Sequence, residues 1–288
     1  MPSTYLEKTY TNNGNRRTMT FSFWMKLSGL NSNIYPMSIY DVSSGYQADI
    51  RHSNANQLRM YATDTAGTAR VHLVTNRVLR DVSAWYHIVW TVDTTQATES
   101  DRVKLYINGV RETSFGTESY PPQNTDLRWN GNNSGDQGGV TQVGAINGGG
   151  DFDGSMAHFY FIDGTAYDAD TFGSTDSTTG IWKPKLTPSV TYGNNGFFLN
   201  FSNTSDFGED SSGNNNDFTV NGTMTQTIDT PSNVFATLNF NDFGLTGSDP
   251  VLANGGLTTM NLSGAGDYGL CHSAIHSKVI IIYVLLLE

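Results

Sequence analysis

Trp129 stands beside Asn130, Asn132 and Asn133, with Tyr120 a short way upstream. An indole flanked by amides can hold a sugar: the ring covers the apolar face and the amides bond the hydroxyls. These five residues are the candidate carbohydrate-binding group. The alternative is that Trp129 pins a long loop onto a core, and exposure decides between the two. Acidic residues form a second group. Asp151 and Asp153 flank Phe152 in a Gly-rich stretch and Asp136 lies upstream in NNSGDQGG, so a hard cation such as calcium is a possible ligand of their carboxylates. Asp-Gly and Asn-Gly steps also make plain turns. Asp210, Asn214 and Asp217 repeat the rhythm without the terminal Glu of an EF-hand, and turn chemistry accounts for them.

Catalytic arrangements are harder to find. Glycoside hydrolysis needs two carboxyl groups facing each other across a cleft, and the nearest approach, Glu99 with Asp101, falls in a polar connection. There is no G-x-S-x-G elbow, no H-E-x-x-H and no P-loop. His87 and His158 sit on alternating stretches, where a packed structural histidine is the ordinary finding. His52 and His72 lack acidic neighbours at ligand spacing. Cys271, His272 and His276 cluster loosely but show no fourth zinc ligand. No catalytic residue is assigned, and the expectation is a protein that performs no chemistry.

The elements that would position these residues are strands. Tyr86, Ile88, Trp90 and Val92 alternate with His87, Val89 and Thr91, and Val103, Leu105 and Ile107 alternate with Lys104, Tyr106 and Asn108. Period two means strand. Asn108-Gly109 supplies the positive φ of a type I′ turn before a third strand near Val110. Thr18–Leu27 carries aromatic bulk on both faces, as if both are covered. Pro36–Asp41, Tyr46–Arg51, Gln57–Thr63, Arg70–Thr75, Ser155–Asp163 and Gly196–Phe201 are further strand candidates, while Ser114–Gly150 reads as long and irregular. Loops of that length carry function or cross between sheets.

Composition agrees with an all-β chain. Of 288 residues 30 are Gly and 15% are charged, against 12% aromatic. A net charge of −11 excludes nucleic acid as a partner. One cysteine excludes an internal disulfide framework. The N-terminus lacks an apolar h-region, so no standard export signal is expected and the five N-x-S/T sequons carry little weight. The apolar tail Val279–Leu287 is too short to span a bilayer as a helix and reads as a strand, so no membrane insertion is expected.

Three features in order resemble the laminin-G and pentraxin branch of concanavalin A-like lectin domains: the aromatic strand Phe21–Lys26, the WYHIVW strand with its LYING partner over Trp85–Gly109, and FDGSMAHFYF over Phe152–Phe161. More narrowly, DTTQAT with DRVKLYING, then FIDG, GNNGFFLNF, DSSGNNNDFTVNG and DTPSNVFATLN are similar to structural proteins of marine tailed bacteriophages, including cyanophages. The resemblance implies a jelly-roll β-sandwich over residues 18–222, preceded by an arm and first strand (1–17) and followed by an extension (223–288) similar to the opening of a SPRY-like module. It implies a virion protein of fibre, tail or head appendage, on the particle surface. Its partners would be other virion proteins and copies of itself, and a host surface polysaccharide where the domain acts as an adhesin. A purely architectural subunit and a glycan hydrolase of the same fold are the alternatives. Calcium enters again here, because many domains of this branch bind it on loops at one edge.

Overall fold

The protein is described from a computed structural model, which covers residues 3–41, 47–132, 139–233, 251–253 and 258–260. In chain order the strands are β1 (Tyr5–Thr9), β2 (Thr18–Leu27), β3 (Ile34–Tyr40), β4 (Gln47–His52), β5 (Gln57–Thr63) and β6 (Ala69–Val78). They continue with β7 (Tyr86–Asp93), β8 (Val103–Ile107), β9 (Val110–Glu112), β10 (Phe115–Ser119), β11 (Val140–Val143) and β12 (Gly154–Asp163). The short β13 (Gly173–Thr175), β14 (Trp182–Pro184), β15 (Phe197–Leu199), β16 (Thr219–Asn221), β17 (Val251–Ala253) and β18 (Thr258–Met260) follow. Helix is confined to single 3₁₀ turns at Glu99–Asp101 and Ala169–Thr171 among the described residues.

Fourteen of these strands form two facing antiparallel sheets, in the orders β10-β6-β5-β4-β3-β11-β1-β16 and β15-β12-β2-β7-β8-β9, while β13–β14 and β17–β18 pair as separate hairpins. Phe21, Phe23, Ile88, Trp90 and Leu105 point inward from the six-stranded sheet, and Met37, Ile39, Ile50, Met60 and Leu73 from the eight-stranded one. Each such side chain contributes about 1.5–3 kcal/mol when buried. The expected concanavalin A-like sandwich is therefore the observed fold. At the β8–β9 hairpin Asn108 (φ 50°) and Gly109 (φ 79°) adopt the left-handed conformations of the anticipated type I′ turn.

The other face of the six-stranded sheet is covered as well. Val89, Tyr160 and Ile162 pack under Ala169, Phe172, Trp182 and Tyr192, which belong to the segment following β12. Thr20 Oγ1 donates to the Thr165 carbonyl (2.9 Å) and Thr91 Oγ1 to that of Tyr167 (2.6 Å), tying this layer down. Double coverage explains why β2 is buried from Met19 to Leu27. The eight-stranded sheet is the one whose outward side chains reach solvent along several adjacent strands.

Further along, Asp229 of the DTPSN motif is buried against the sandwich. Its carboxylate lies 2.8 Å from Lys26 Nζ and accepts from Trp85 Nε1 (3.2 Å). Among the described residues no helix is long and apolar enough to cross a membrane. The apolar tail Val279–Leu287 and the Cys271, His272, His276 cluster lie outside the described residues.

Candidate functional site

The residues singled out as a sugar platform do not form one. Trp129 is 0% exposed and packs in the inter-sheet core, its ring 4.9 Å from Phe21. The reason lies in the backbone. Residues 127–130 cross one end of the sandwich, with Leu127 N donating to the Arg16 carbonyl (3.0 Å), Arg128 N to that of Thr63 (2.8 Å) and Gly14 N to that of Asn130 (2.9 Å). Held on both sides, the segment turns its indole inward.

Asn130 is likewise buried. Its Nδ2 donates to Asp163 Oδ1 (2.6 Å) and the Asn15 carbonyl (3.0 Å), while its Oδ1 accepts from Asn195 Nδ2 (2.9 Å). Asp163 also accepts from the backbone N–H groups of Asn15, Asn194 and Asn195. This polar node clasps four chain segments and leaves Asn130 nothing for a ligand. Asn132 is half-buried against Asn13 and Thr11. Tyr120 packs partly on the core and donates its hydroxyl to Glu118 (2.7 Å), and Asn133 lies outside the described residues.

The acidic group is dispersed in role. Asp153 is exposed and accepts the Ser28 hydroxyl, while Asp151 is half-buried with Oδ1 free of hydrogen bonds. Asp136 lies outside the described residues. Among the described residues no three His, Cys, Asp or Glu side chains gather as a metal site. Asp210 accepts from Phe198 N, Ser212 N and Oγ, and Asn216 N, while Asn214 Nδ2 donates to the carbonyls of Gly193 and Gly196, so this cluster is turn chemistry.

His87 and His158 are held in the packing. His87 is fully buried, stacked on Trp24 at 4.7 Å, and its Nδ1 accepts from Trp182 Nε1 (2.9 Å). With Nδ1 accepting, the ring proton sits on Nε2 and goes to Ser22 Oγ, 2.9 Å away. Burial, with His158 nearby, pushes His87 down to about 3, so the ring is neutral at ordinary pH. His158 occupies a bulge of β12 with φ 49° and stacks on Phe198. Asp101 pairs with Arg111 (2.9 Å) on its surface turn.

A different constellation stands on the outer face of the eight-stranded sheet. Asp49 and Arg51 alternate with core Ala48 and Ile50 on β4. Arg59 and Tyr61 alternate with Leu58, Met60 and Ala62 on β5, and His72 with Val71 and Leu73 on β6. Antiparallel register sets Arg51 opposite Arg59, Asp49 opposite Tyr61, and Tyr61 opposite His72. Arg59 takes Asp49 in both oxygens, with Nε 3.1 Å from Oδ1, and lies over the Tyr61 ring at 5.1 Å. Tyr61 meets His72 edge to face at 5.7 Å. Arg51 lies over the Tyr35 ring at 5.8 Å, with Nη1 3.4 Å from the phenol oxygen.

Tyr35, Arg51, Arg59, Tyr61 and His72 are all half-buried, whereas Asp49 beneath them is sealed. Burial raises the Asp49 carboxyl against the pull of Arg59, Arg51 and His72. His72 is lowered by burial and by the arginines, and so stays neutral near neutral pH. The glycine run after β11 borders this face. Gly150 (φ 59°) presses so close to the Tyr35 ring that a Cβ there would lie 2.6 Å from it. Like charges directly opposite are destabilising, and here Asp49 offsets the charge of Arg59 while Arg51 has no carboxylate of its own among the described residues. The signal was available in the sequence, as polar residues at alternate positions of three successive strands; charge and aromatic content on that face were the part overlooked.

No curated protein matches the chain in sequence. Among solved structures it is similar to a carbohydrate-binding protein, so described with reservation, from Bacteroides ovatus (14% identity, 82% of this chain and 63% of that one, TM-score 0.44). It is also similar to a SAP-like pentraxin from Limulus polyphemus (13%, 68% and 88%, TM-score 0.42). Tailspike protein 2 of the Escherichia coli O157:H7 bacteriophage CAB120 is more distant (12%, 58% and 22%, TM-score 0.36). The profile of the concanavalin A-like lectin/glucanases superfamily matches residues 3–170, which take in both sheets up to β12 and the arginine–tyrosine face, and the chain belongs to that superfamily.

Proposed function

We propose that this chain is a non-catalytic, glycan-holding module of a bacteriophage virion, and that it grips sugar on the outer face of the eight-stranded sheet. The observation that carries the reading is the row of Tyr35, Arg51, Arg59, Tyr61 and His72, where aromatic rings alternate with guanidinium donors on rigid strands. Rings take a sugar's apolar face, and the donors take its oxygens. Absence of catalysis is supported by spacing on this face. Asp49 and Glu7 are separated by β3 and β11, three strand intervals or about 14 Å. Glycosidase pairs stand about 5–10 Å apart. Weak single sites gain strength when many copies share one particle.

The test is capture of the full-length protein on immobilised bacterial surface polysaccharides. Wild type is expected to bind, and Tyr61→Ala to bind at least ten-fold more weakly with an unchanged melting temperature. Equal capture by Tyr61→Ala would remove this face from the reading. Immunogold labelling of particles tests the virion assignment, and absence of label would overturn it. A second reading, an architectural subunit without sugar binding, is favoured by the burial of Trp129 and by exposed Val110 (61%) and Ile181 (57%), whose chain neighbours Gly109 and Trp182 abut. It predicts no capture by any polysaccharide.

A further inference from the structure

We infer that the glycan held on this face carries a carboxylate, and that Arg51 is the residue that takes it. The inference rests on the glycan-binding reading above and concerns the class of sugar. Arg51 and Arg59 face each other across β4 and β5. One carboxylate, Asp49, lies among them, and Arg59 occupies both its oxygens. The trio therefore carries one uncompensated positive charge.

That charge belongs to Arg51. Arg17, Arg59, Arg70, Arg77 and Arg111 each have a carboxylate partner within 3 Å. Arg51 has none among the described residues. Its Nε–H is buried without a hydrogen-bond partner, and its Nη1 makes only the long contact to the Tyr35 hydroxyl. Arg51 is half-buried, and its terminal nitrogens, engaged only by that long contact, match the two parallel oxygens of a carboxylate in a fork. The Tyr35 ring lies beneath the Arg51 guanidinium at 5.8 Å. In a chain of net charge −11, an isolated positive spot is also where an anionic ligand is steered. His72, half-buried beside Tyr61, offers a ring nitrogen to a sugar hydroxyl.

The experiment measures binding of the full chain to alginate, polygalacturonate and polysialate, each beside its carboxyl-reduced derivative, and to neutral dextran and mannan. At least one native acidic polymer is expected to bind, and its reduced form at least ten-fold more weakly. Arg51→Gln is expected to erase that difference while keeping the wild-type melting temperature, and Arg51→Lys to restore part of it, with salt weakening wild type more than Arg51→Gln. The polymer that binds separates a uronate from a sialate source. Equal binding of native and reduced polymers, or binding of neutral glycans alone, would overturn the carboxylate and leave the sugar-binding face standing if Tyr61→Ala still loses capture. No binding to any polymer would overturn both.

Discussion

Replacing Trp129 by alanine separates a core indole from a sugar platform. The side chain is 0% exposed, its ring lies 4.9 Å from Phe21, and its Nε1 has no hydrogen-bond partner, so what is lost is packing. Large aromatics removed from cores cost about 3–5 kcal/mol. For a domain of this size each kcal/mol moves the melting temperature by about 2–4 °C, so Trp129→Ala is expected to melt about 6–20 °C below wild type. The crossing segment 127–130 keeps its backbone hydrogen bonds in the variant, so the site can collapse only partly and the upper half of the range is expected. Thermal unfolding followed by near-ultraviolet circular dichroism measures the shift. Sugar capture, assayed well below the transition, should match wild type. A melting temperature within 2 °C of wild type, joined to lost capture, would refute the placement and restore Trp129 as a binding surface.

The Lys26–Asp229 pair is buried on both sides, with side chains 5% and 2% exposed. Asp229→Asn should therefore destabilise by about 3–5 kcal/mol, whereas the double change Lys26→Met with Asp229→Leu should recover most of it. A denaturant series on both variants checks this, and an additive outcome would sink the account. His87 tests linkage to pH. Its folded value, near 3, lies below the unfolded value of about 6.5, so below pH 6.5 the unfolded chain binds a proton that the folded chain refuses. Stability should fall by about 1.4 kcal/mol per pH unit from this group as pH drops from 6.5 toward 3. Between pH 6.5 and 4.5, above most carboxylate titration, His87→Gln should show a shallower loss of melting temperature than wild type. Equal slopes would remove His87 as the cause.

Much of the fold was legible because strand alternation is local. Thr18–Leu27 and Gln57–Thr63 are observed with the bounds read from their pattern, and aromatic residues on both sides of β2 announced a sheet covered twice. Trp129 was not legible. Pro121-Pro122 and the Asn–Gly run around it have the composition of a surface loop, yet its neighbours Leu127, Arg128 and Asn130 are bonded to Arg16, Thr63 and Gly14, far away in sequence. Asn130 was misleading for the same reason. An Asn in a turn-rich run looks free until Asp163 arrives from the end of β12 and Asn195 from the turn before β15. The arginine–tyrosine face was half legible. The strands were found, but that Arg51 faces Arg59 depends on register between β4 and β5, which alternation within one strand does not fix.

Coverage distinguishes the two sheets of this fold. One face of the six-stranded sheet is the core, and the other is sealed by Phe172, Trp182 and Tyr192, so its polar groups, His87 among them, are spent inside the molecule. The eight-stranded sheet shares the same core but has no such second layer across β4, β5 and β6 among the described residues. Its outward row has tyrosines under guanidiniums, and one donor there lacks a partner. A sheet face needed only for solubility would intersperse opposite charges. Two arginines in register, with a single carboxylate paired to one of them, instead leave one charge without a carboxylate partner among the described residues. The half-buried guanidinium of Arg51 over Tyr35, set against the buried indole of Trp129, is what separates the proposed face from the crossing segment 127–130.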